Sequence, residues 1–240
     1  IQPAQSDYFQ ATKGGGHGDY HMLVYGPASV QECVNIMYDA FDKADKYRVP
    51  VMILGDGMLG QIMEPVELPE FKDLSKLPRK NWATYGDGTG EKRNIINSLL
   101  IEPDELEAHN KLLADTYAEM ARNETMCEEY LCDDAEIVLT AYGTVARIAK
   151  SAVNILREQG KKVGLLRPIT IYPFPNDAFR KVAEQDCVKE FVCTELSMGQ
   201  MIEDVKLATG MLKPVHFYGR CGGNVMTPED LVEFVLKEGK

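Results

Sequence analysis

The 240-residue chain has no apolar run near the roughly eighteen residues that a membrane-crossing helix needs, and no basic stretch leading into a shorter apolar one. Neither a membrane span nor a secretory leader is therefore readable, and a cytoplasmic location is expected. Positive charge is also short: 26 Lys and Arg stand against 37 Asp and Glu, a net charge of −11. That balance argues against nucleic acid or an anionic membrane as partner, since both need clustered cations. C-x-x-C does not occur among the six cysteines, Cys33, Cys127, Cys132, Cys187, Cys193 and Cys221. A chain of this size does not need disulfide staples either, and reduced thiols are expected.

What is present is apolar alternation on an α/β plan. Residues 21–25 (H-M-L-V-Y) read as a strand ended by Gly26-Pro27. Ser29 and Glu32 form a capping box for a helix over residues 29–46, with Val30, Cys33, Val34, Met37, Phe41 and Ala44 as its expected core face. Residues 49–54 read as a second strand, completing a β-α-β unit. Two parallel strands with one crossover helix leave a face uncovered, so this unit is expected to be the remnant of a domain whose first strands lie before Ile1.

Residues 67–103 lack any sustained period and read as an extended connector; residues 104–130 read as a long, mostly exposed bridging helix. The remainder alternates cleanly. Strands are expected at 136–142, 162–167, 190–194 and 215–218, and helices at 144–158, 176–184, 199–208 and from Thr227 onward, where Pro228 and two acids form a favoured first turn. Such alternation builds a mostly parallel open sheet.

Residues 13–21 hold four glycines and two histidines, K-G-G-G-H-G-D-Y-H. The glycines precede a strand, so neither the P-loop nor the dinucleotide fingerprint applies. His17 and His21 lack an accompanying carboxylate or thiol set, which argues against zinc. A surface loop remains open, as does a loop kept small for the approach of a cofactor, substrate or second subunit. G-D-G occurs at residues 55–57 and 86–88. In thiamine diphosphate enzymes that tripeptide, followed by Asn-Asn, holds the magnesium that grips the diphosphate. The chain has no Asn-Asn, so Asp56 reads as a turn residue and the second copy as a loop. Residues 195–200 and 219–224 follow strands at the expected carboxyl edge, where open α/β sheets place ligands. Arg220 is suited to an anion, to an acidic neighbour or to a partner chain; Cys221 has no histidine near it in sequence.

Taken together, K-G-G-G-H-G-D-Y-H, the block A-F-D-K-A-D-K-Y-R-V-P-V-M-I-L-G-D-G-M-L-G-Q-I-M-E-P-V-E-L-P, G-L-L-R-P-I-T-I-Y-P-F-P, E-L-S-M-G-Q-M and G-R-C-G-G-N resemble the alpha subunit of the 2-oxoacid:ferredoxin oxidoreductases. The opening A-Q-S-D is most similar to the 2-oxoisovalerate or 2-oxoglutarate types. The resemblance implies part of a thiamine-diphosphate pyrimidine-binding-type domain over residues 1–66, a connector and bridging helix over 67–133, and a transketolase C-terminal-like α/β domain over 134–240. It also implies oxidative decarboxylation of a 2-oxoacid to its acyl-CoA, with thiamine diphosphate and Mg held mainly by a beta subunit. An iron–sulfur subunit would pass electrons to ferredoxin. The family's catalytic glutamate and R-G-G-P arginine have no counterpart here, so no catalytic residue and no metal ligand is carried over. Gln5, Ser6, Asp7, Gly15, Gly16 and His17 are expected near the active-site cleft, and Arg220 near substrate or partner. A non-catalytic binding or interaction module is the competing reading.

Overall fold

The computed structural model describes residues 1–84 and 93–238. In chain order the elements are α1 (Tyr8–Lys13), β1 (Leu23–Tyr25), α2 (Val30–Tyr47), β2 (Val51–Ile53), a 3-10 turn at Leu74–Lys76, α3 (Pro103–Glu124), β3 (Cys127–Tyr130) and β4 (Ile137–Thr140). They continue as α4 (Gly143–Glu158), β5 (Val163–Pro168), β6 (Thr170–Tyr172), α5 (Asn176–Ala183), β7 (Glu190–Glu195), α6 (Met201–Ala208), β8 (Val215–Gly219) and α7 (Pro228–Glu238).

The larger sheet has the order β3-β5-β4-β7-β8, with β3 antiparallel to β5 and the other pairings parallel. Its strands alternate their apolar side chains between two cores, as the two-residue pleat requires. Leu139, Leu165 and Val192 meet α4 and α7 through Val145, Ala149, Leu231 and Val235. Val138, Leu166, Phe191 and Cys193 face the opposite side, where α5, α6 and α1 close the core through Phe179, Val182, Met201, Val205 and Tyr8. Each large side chain buried in this way contributes about 1.5–3 kcal/mol.

The smaller sheet, β2-β1-β6, corrects the expectation that the β-α-β unit finds no neighbours in this chain. β6 pairs antiparallel with β1 on the edge away from β2, from within the Pro-rich residues 168–175. Leu23 and Tyr25 pack under Tyr47 and Met120, whereas Val24 points into the core that holds Tyr8, Tyr142 and Ile171. Both faces of β1 are thus covered by this chain's own elements, and an uncovered half-sheet no longer argues for missing strands. Among the described residues the outer edge of β2 has no strand partner.

Two further expectations change. The bridging helix stops at Glu124, and residues 127–130, read as its last turn, instead form the edge strand β3. Pairing with Arg167 and Pro168 of β5 satisfies a backbone that the helical spacing left ambiguous. In α2, Ser29 Oγ does accept the Glu32 amide, and the Glu32 carboxylate reaches the amide of Ala28. The packed face, however, is Ile36, Ala40 and Tyr47, and Met37 and Phe41 of the expected face are exposed. Apolar side chains lie on two flanks of this helix, and the sheet takes the flank that carries Tyr47.

Ion pairs join the two sheets. Arg167, nearly buried on β5, donates to Glu32 at 2.5 Å and to Glu128 at 2.8 Å, and Lys150 reaches Glu128 at 2.6 Å. Arg147 of α4 pairs with Glu64 at 2.6 Å. On the far side, Glu124 gathers Tyr47, Lys43 and Lys46.

Candidate functional site at the carboxyl edge of the larger sheet

The chain leaves β4 through α4 on one face of the sheet and leaves the neighbouring β7 through α6 on the other, so the connections after β4 and β7 part at the strands' carboxyl ends. That switch point is where open α/β sheets form a ligand crevice. Here Gln5 fills it. Its amide donates to the Tyr142 carbonyl at 3.0 Å and accepts from the Leu196 amide at 2.9 Å, while its own backbone N–H donates to the Leu196 carbonyl at 2.9 Å. The Tyr142 hydroxyl in turn donates to the Gln5 carbonyl at 3.3 Å. Gly143 lies against this plug with φ of 60°, and a Cβ there would sit 3.1 Å from Gln5 Nε2 and 3.3 Å from Asp56 Oδ2. Glycine relieves both constraints.

Asp56, the middle of the first G-D-G, sits beside the plug. Its carboxylate accepts the amides of Met58 and Leu59 at 3.0 Å each, and the amide and hydroxyl of Thr144 at 3.1 and 2.9 Å. It therefore closes its own turn and caps the amino end of α4, where a carboxylate complements the helix dipole. The E-L-S-M-G-Q-M motif works in a related way at the neighbouring helix. Glu195, fully buried at the end of β7, accepts the amides of Gln200, Met201 and Ile202 and the hydroxyl of Ser197. These are the otherwise orphaned donors at the start of α6.

Gln200 then ties the amino-terminal segment to α6, donating to the Ser6 carbonyl at 2.9 Å and accepting the Phe9 amide at 2.8 Å. Tyr8 and Lys13 of α1 both bond Asp204, with the Tyr8 hydroxyl at 2.6 Å. Upstream, the Gln2 carbonyl lies 3.1 Å from a Cβ placed on Gly57, and the Gln2 side chain 2.9 Å from one on Gly223. The opening segment, the first G-D-G, residues 195–200 and residues 219–224 thus converge along one edge. Their outward groups are the exposed Ser6, Asp7, Met198 and Cys221 and the half-buried Arg220. The Arg220 amide donates to the Glu195 carbonyl at 3.1 Å, but its guanidinium bonds no described residue.

The glycine loop lies at the other end of α1. The amides of Gly15 and Gly16 donate to the Tyr20 hydroxyl at 3.0 and 2.8 Å, which folds the loop on itself. His17 is exposed and bonds no described residue. His21 stacks on Tyr172, with ring centroids 4.3 Å apart, and meets Tyr117 edge-on at 5.1 Å. Burial, with Lys13 nearby, lowers its pKa against the opposing pull of Asp19. A cleft of about 770 Å³ opens beside it, between the loop and α3, lined by Asp19, His21, Asn110, Tyr117 and Tyr172. The residues expected near a cleft therefore divide between two places: Gln5, Ser6 and Asp7 at the sheet edge, Gly15, Gly16 and His17 beside α3.

A diphosphate–magnesium grip does not fit the donor set. Asp56 is committed to four protein donors, and among the described residues no three His, Cys, Asp or Glu converge on a point. The second G-D-G, residues 86–88, lies outside the described residues. The half-buried Cys127 and the buried Cys132 and Cys193 are poor nucleophiles as well: desolvation pushes Cys127 up to about 12 and Cys132 up to about 11, and Cys193 rises too. Sequence reasoning missed Tyr142 and Thr144, whereas Gln200 lies in the stretch 195–200 that it placed at the carboxyl edge. The available signal was the A-Y-G-T turn directly after a strand, which places two side-chain donors at a switch point.

Residues 1–129 match the family model described as the thiamine-diphosphate-binding region of pyruvate flavodoxin/ferredoxin oxidoreductase, and residues 135–231 match pyruvate:ferredoxin oxidoreductase core domain II. Ketoisovalerate oxidoreductase subunit VorB of Methanothermobacter marburgensis is 47% identical over 232 residues, covering 97% of this chain and 64% of the relative. The subunit of the same name from Methanothermobacter thermautotrophicus is 46% identical over 233 residues, covering 97% and 65%. 2-Oxoglutarate synthase subunit KorA of Methanocaldococcus jannaschii is 33% identical over 253 residues, covering 97% and 68%. The chain thus spans slightly under two thirds of the two VorB subunits. The solved 2-oxoglutarate:ferredoxin oxidoreductase of Magnetococcus marinus, with 2-oxoglutarate, coenzyme A and succinyl-CoA bound, superposes with a TM-score of 0.80 at 22% identity. That match covers 100% of this chain and 46% of the other, and it shows a shared fold. On these matches the chain belongs to the pyruvate flavodoxin/ferredoxin oxidoreductase family.

Proposed function

We propose that the complete protein is the alpha-type subunit of a 2-oxoacid:ferredoxin oxidoreductase that converts a branched-chain 2-oxoacid, in preference to 2-oxoglutarate, to its acyl-CoA in the cytoplasm. The observation that carries the reading is identity: 47% and 46% to two subunits named for ketoisovalerate, against 33% to one named for 2-oxoglutarate, each over 97% of this chain. Thiamine diphosphate, Mg and the iron–sulfur clusters are assigned to beta and iron–sulfur partner subunits. The commitment of Asp56 to Thr144 and its own turn supports that allocation. When bound, thiamine diphosphate supplies the carbanion chemistry that decarboxylation needs.

This chain's part is to present a fixed edge. Gln5 seals the β4–β7 crevice against water, Glu195 and Asp56 lock the helices beside it, and Ser6, Asp7 and Arg220 face outward toward the partner subunit or the substrate carboxylate. The glycine loop with His17 is assigned to the rim of a separate cleft, the one beside α3. The division at residues 66 and 134 is proposed as the domain plan, with two elements crossing it: β6 joins the smaller sheet and α1 the core of the larger one.

The test is reconstitution of the complete protein with its beta and iron–sulfur subunits, followed by coenzyme A-dependent ferredoxin reduction. 2-Oxoisovalerate is expected to exceed 2-oxoglutarate in kcat/KM by at least about tenfold, the discrimination that a few apolar contacts supply. Turnover with neither acid, or preference for 2-oxoglutarate, overturns the reading.

A further inference from the structure

We propose that the cleft of about 770 Å³ between the glycine loop and α3 is a binding site for a linear aliphatic polyamine. One wall is a single stripe of α3, in which Pro103, Leu106, Glu107, Asn110, Ala114 and Tyr117 fall on one helical face. The other wall is Asp19, His21 and Tyr172. At 1.5 Å of rise per residue the stripe is about 20 Å long, and Asn110 and Tyr117 stand about 10 Å apart along it. The cleft is thus a groove, suited to an extended ligand rather than to a compact one.

Acceptors and apolar surface alternate along this groove. Asn110 donates to Asp19 Oδ2 at 3.3 Å, and Asp19 Oδ1 bonds no described residue. At the inner end the half-buried Tyr117 and Tyr172 hydroxyls and the His21 ring nitrogens bond no described residue either. Glu107, toward the outer end, has one cationic partner, Lys111 at 2.7 Å, in an exposed pair. Ala114 separates Asn110 from Tyr117, and Leu106 and Pro103 continue the apolar surface outward. An alkylammonium carries N–H donors and no acceptor, and the methylene spacers of a polyamine lie well on hydrocarbon, so the ligand matches both halves of the pattern.

The same groups exclude the other ligand classes. An anion finds no free cation: Lys111 is paired with Glu107, and burial, with Lys13 nearby, lowers the His21 pKa and keeps the imidazole neutral at pH 7. A metal ion finds no convergent set of three His, Cys, Asp or Glu among the described residues. A flat aromatic ring finds the rings already engaged with one another, since His21 stacks on Tyr172 at 4.3 Å and meets Tyr117 edge-on at 5.1 Å. A neutral hydrocarbon would strip water from Asp19 and from two hydroxyls without replacing its hydrogen bonds. Two carboxylates against one ammonium leave the groove net negative, as a cationic ligand requires.

The test uses the complete protein in its native assembly, with spermidine as the probe. Isothermal titration calorimetry is expected to show saturable binding of one spermidine per chain. Asp19→Asn and Glu107→Gln, both at exposed positions, are each expected to weaken it at least about tenfold, the loss of one charge-assisted contact. Tyr117→Phe removes a hydroxyl that has no partner in the described chain and is expected to weaken binding about threefold or more. Glu229→Gln, at an exposed acid on α7, is expected to leave the affinity unchanged. No saturable binding overturns the proposal, and so does an unchanged affinity in Asp19→Asn or Tyr117→Phe, which places the ligand elsewhere. Equal weakening by Glu229→Gln, or displacement of spermidine by magnesium at matched ionic strength, also overturns it, since either marks diffuse attraction to a chain of net charge −11. None of these readouts needs turnover, so they stand apart from the assay of activity.

Discussion

The Asp56 carboxylate accepts both the amide and the hydroxyl of Thr144, at 3.1 and 2.9 Å, and so fixes the turn after β2 onto the first turn of α4 across 88 residues of sequence. A tripeptide that elsewhere grips a metal serves here as a joint between the two sheets. Gly143 makes the joint possible, because any Cβ at that position would press on both Asp56 and Gln5.

Asp56→Ala is therefore expected to remove about 2–3 kcal/mol of stability, combining a lost helix cap with buried donors left unpaired. Urea unfolding of the variant measures this. Magnesium is expected to shift the melting temperature of neither parent nor variant. A magnesium-dependent rise in the parent that the variant lacks would show Asp56 to be a ligand after all.

Gln5→Ala is expected to cost about 2–3 kcal/mol, since the Leu196 amide and the Tyr142 carbonyl both lose their side-chain partner at a buried site. Gln5→Glu separates packing from hydrogen bonding. It retains the acceptor for Leu196 but no longer donates to Tyr142, so it should also lose stability at neutral pH. Equal stability of Gln5→Glu and the parent would mean that the Tyr142 bond contributes nothing.

Much of this was legible in the residues. The β-α alternation after residue 134 appears in the structure because each strand is a short apolar run closed by a turn, and Thr227 caps the last helix as read, with the Asp230 carboxylate returning a bond to the Thr227 amide that the sequence reading did not specify. β6 was not legible: Thr170–Tyr172 lies between prolines, and its pairing with β1 is set by tertiary contact rather than by a local period. The helical reading of residues 127–130 failed for a related reason, since four residues fit both periods and the partner strand decides. At the site, the motifs pointed to the correct edge, but what Gln5, Asp56 and Glu195 bond depends on segments far apart in sequence.

Acid should weaken the fold through two carboxylates. Burial opposes ionisation of Glu128, but Lys150 and Arg167 outweigh it and hold the carboxyl below its ordinary range. Glu124 is likewise held low, against burial, by Tyr47, Lys43 and Lys46. Each group binds a proton less readily in the folded state than in the unfolded one. The stability they contribute is thus fully present above about pH 4.3, the ordinary glutamate value, and lost as pH falls through their lowered folded values. Glu124→Gln should lower the urea midpoint at pH 7 and flatten its decline toward pH 3; an equally steep decline would assign the acid sensitivity elsewhere.

His21 gives a second pH window of the same sign. Burial on Tyr172, with Lys13 nearby, depresses its pKa, so the unfolded chain takes up a proton first and stability falls as pH drops below about 6.5. His21→Phe keeps the ring stack and removes the titration. Its melting temperature should stay level between pH 7 and pH 5.5, where the parent's declines, and proton NMR of the parent should show one histidine titrating below the usual value.

Arg220 offers the sharpest separation of stability from function. Its guanidinium bonds no described residue, so Arg220→Ala should leave unfolding within about 0.5 kcal/mol of the parent. If the side chain faces a substrate carboxylate or an acidic partner group, as the proposed function has it, loss of one charge-assisted contact of about 1.5–3 kcal/mol lowers kcat/KM of the assembled enzyme roughly ten- to hundredfold. Arg220→Lys keeps the charge but not the planar fork, so partial rescue would identify a point-charge role and none a bidentate one. Unchanged kinetics in Arg220→Ala would leave the residue on an idle surface and shift attention to Ser6 and Asp7 on the same edge.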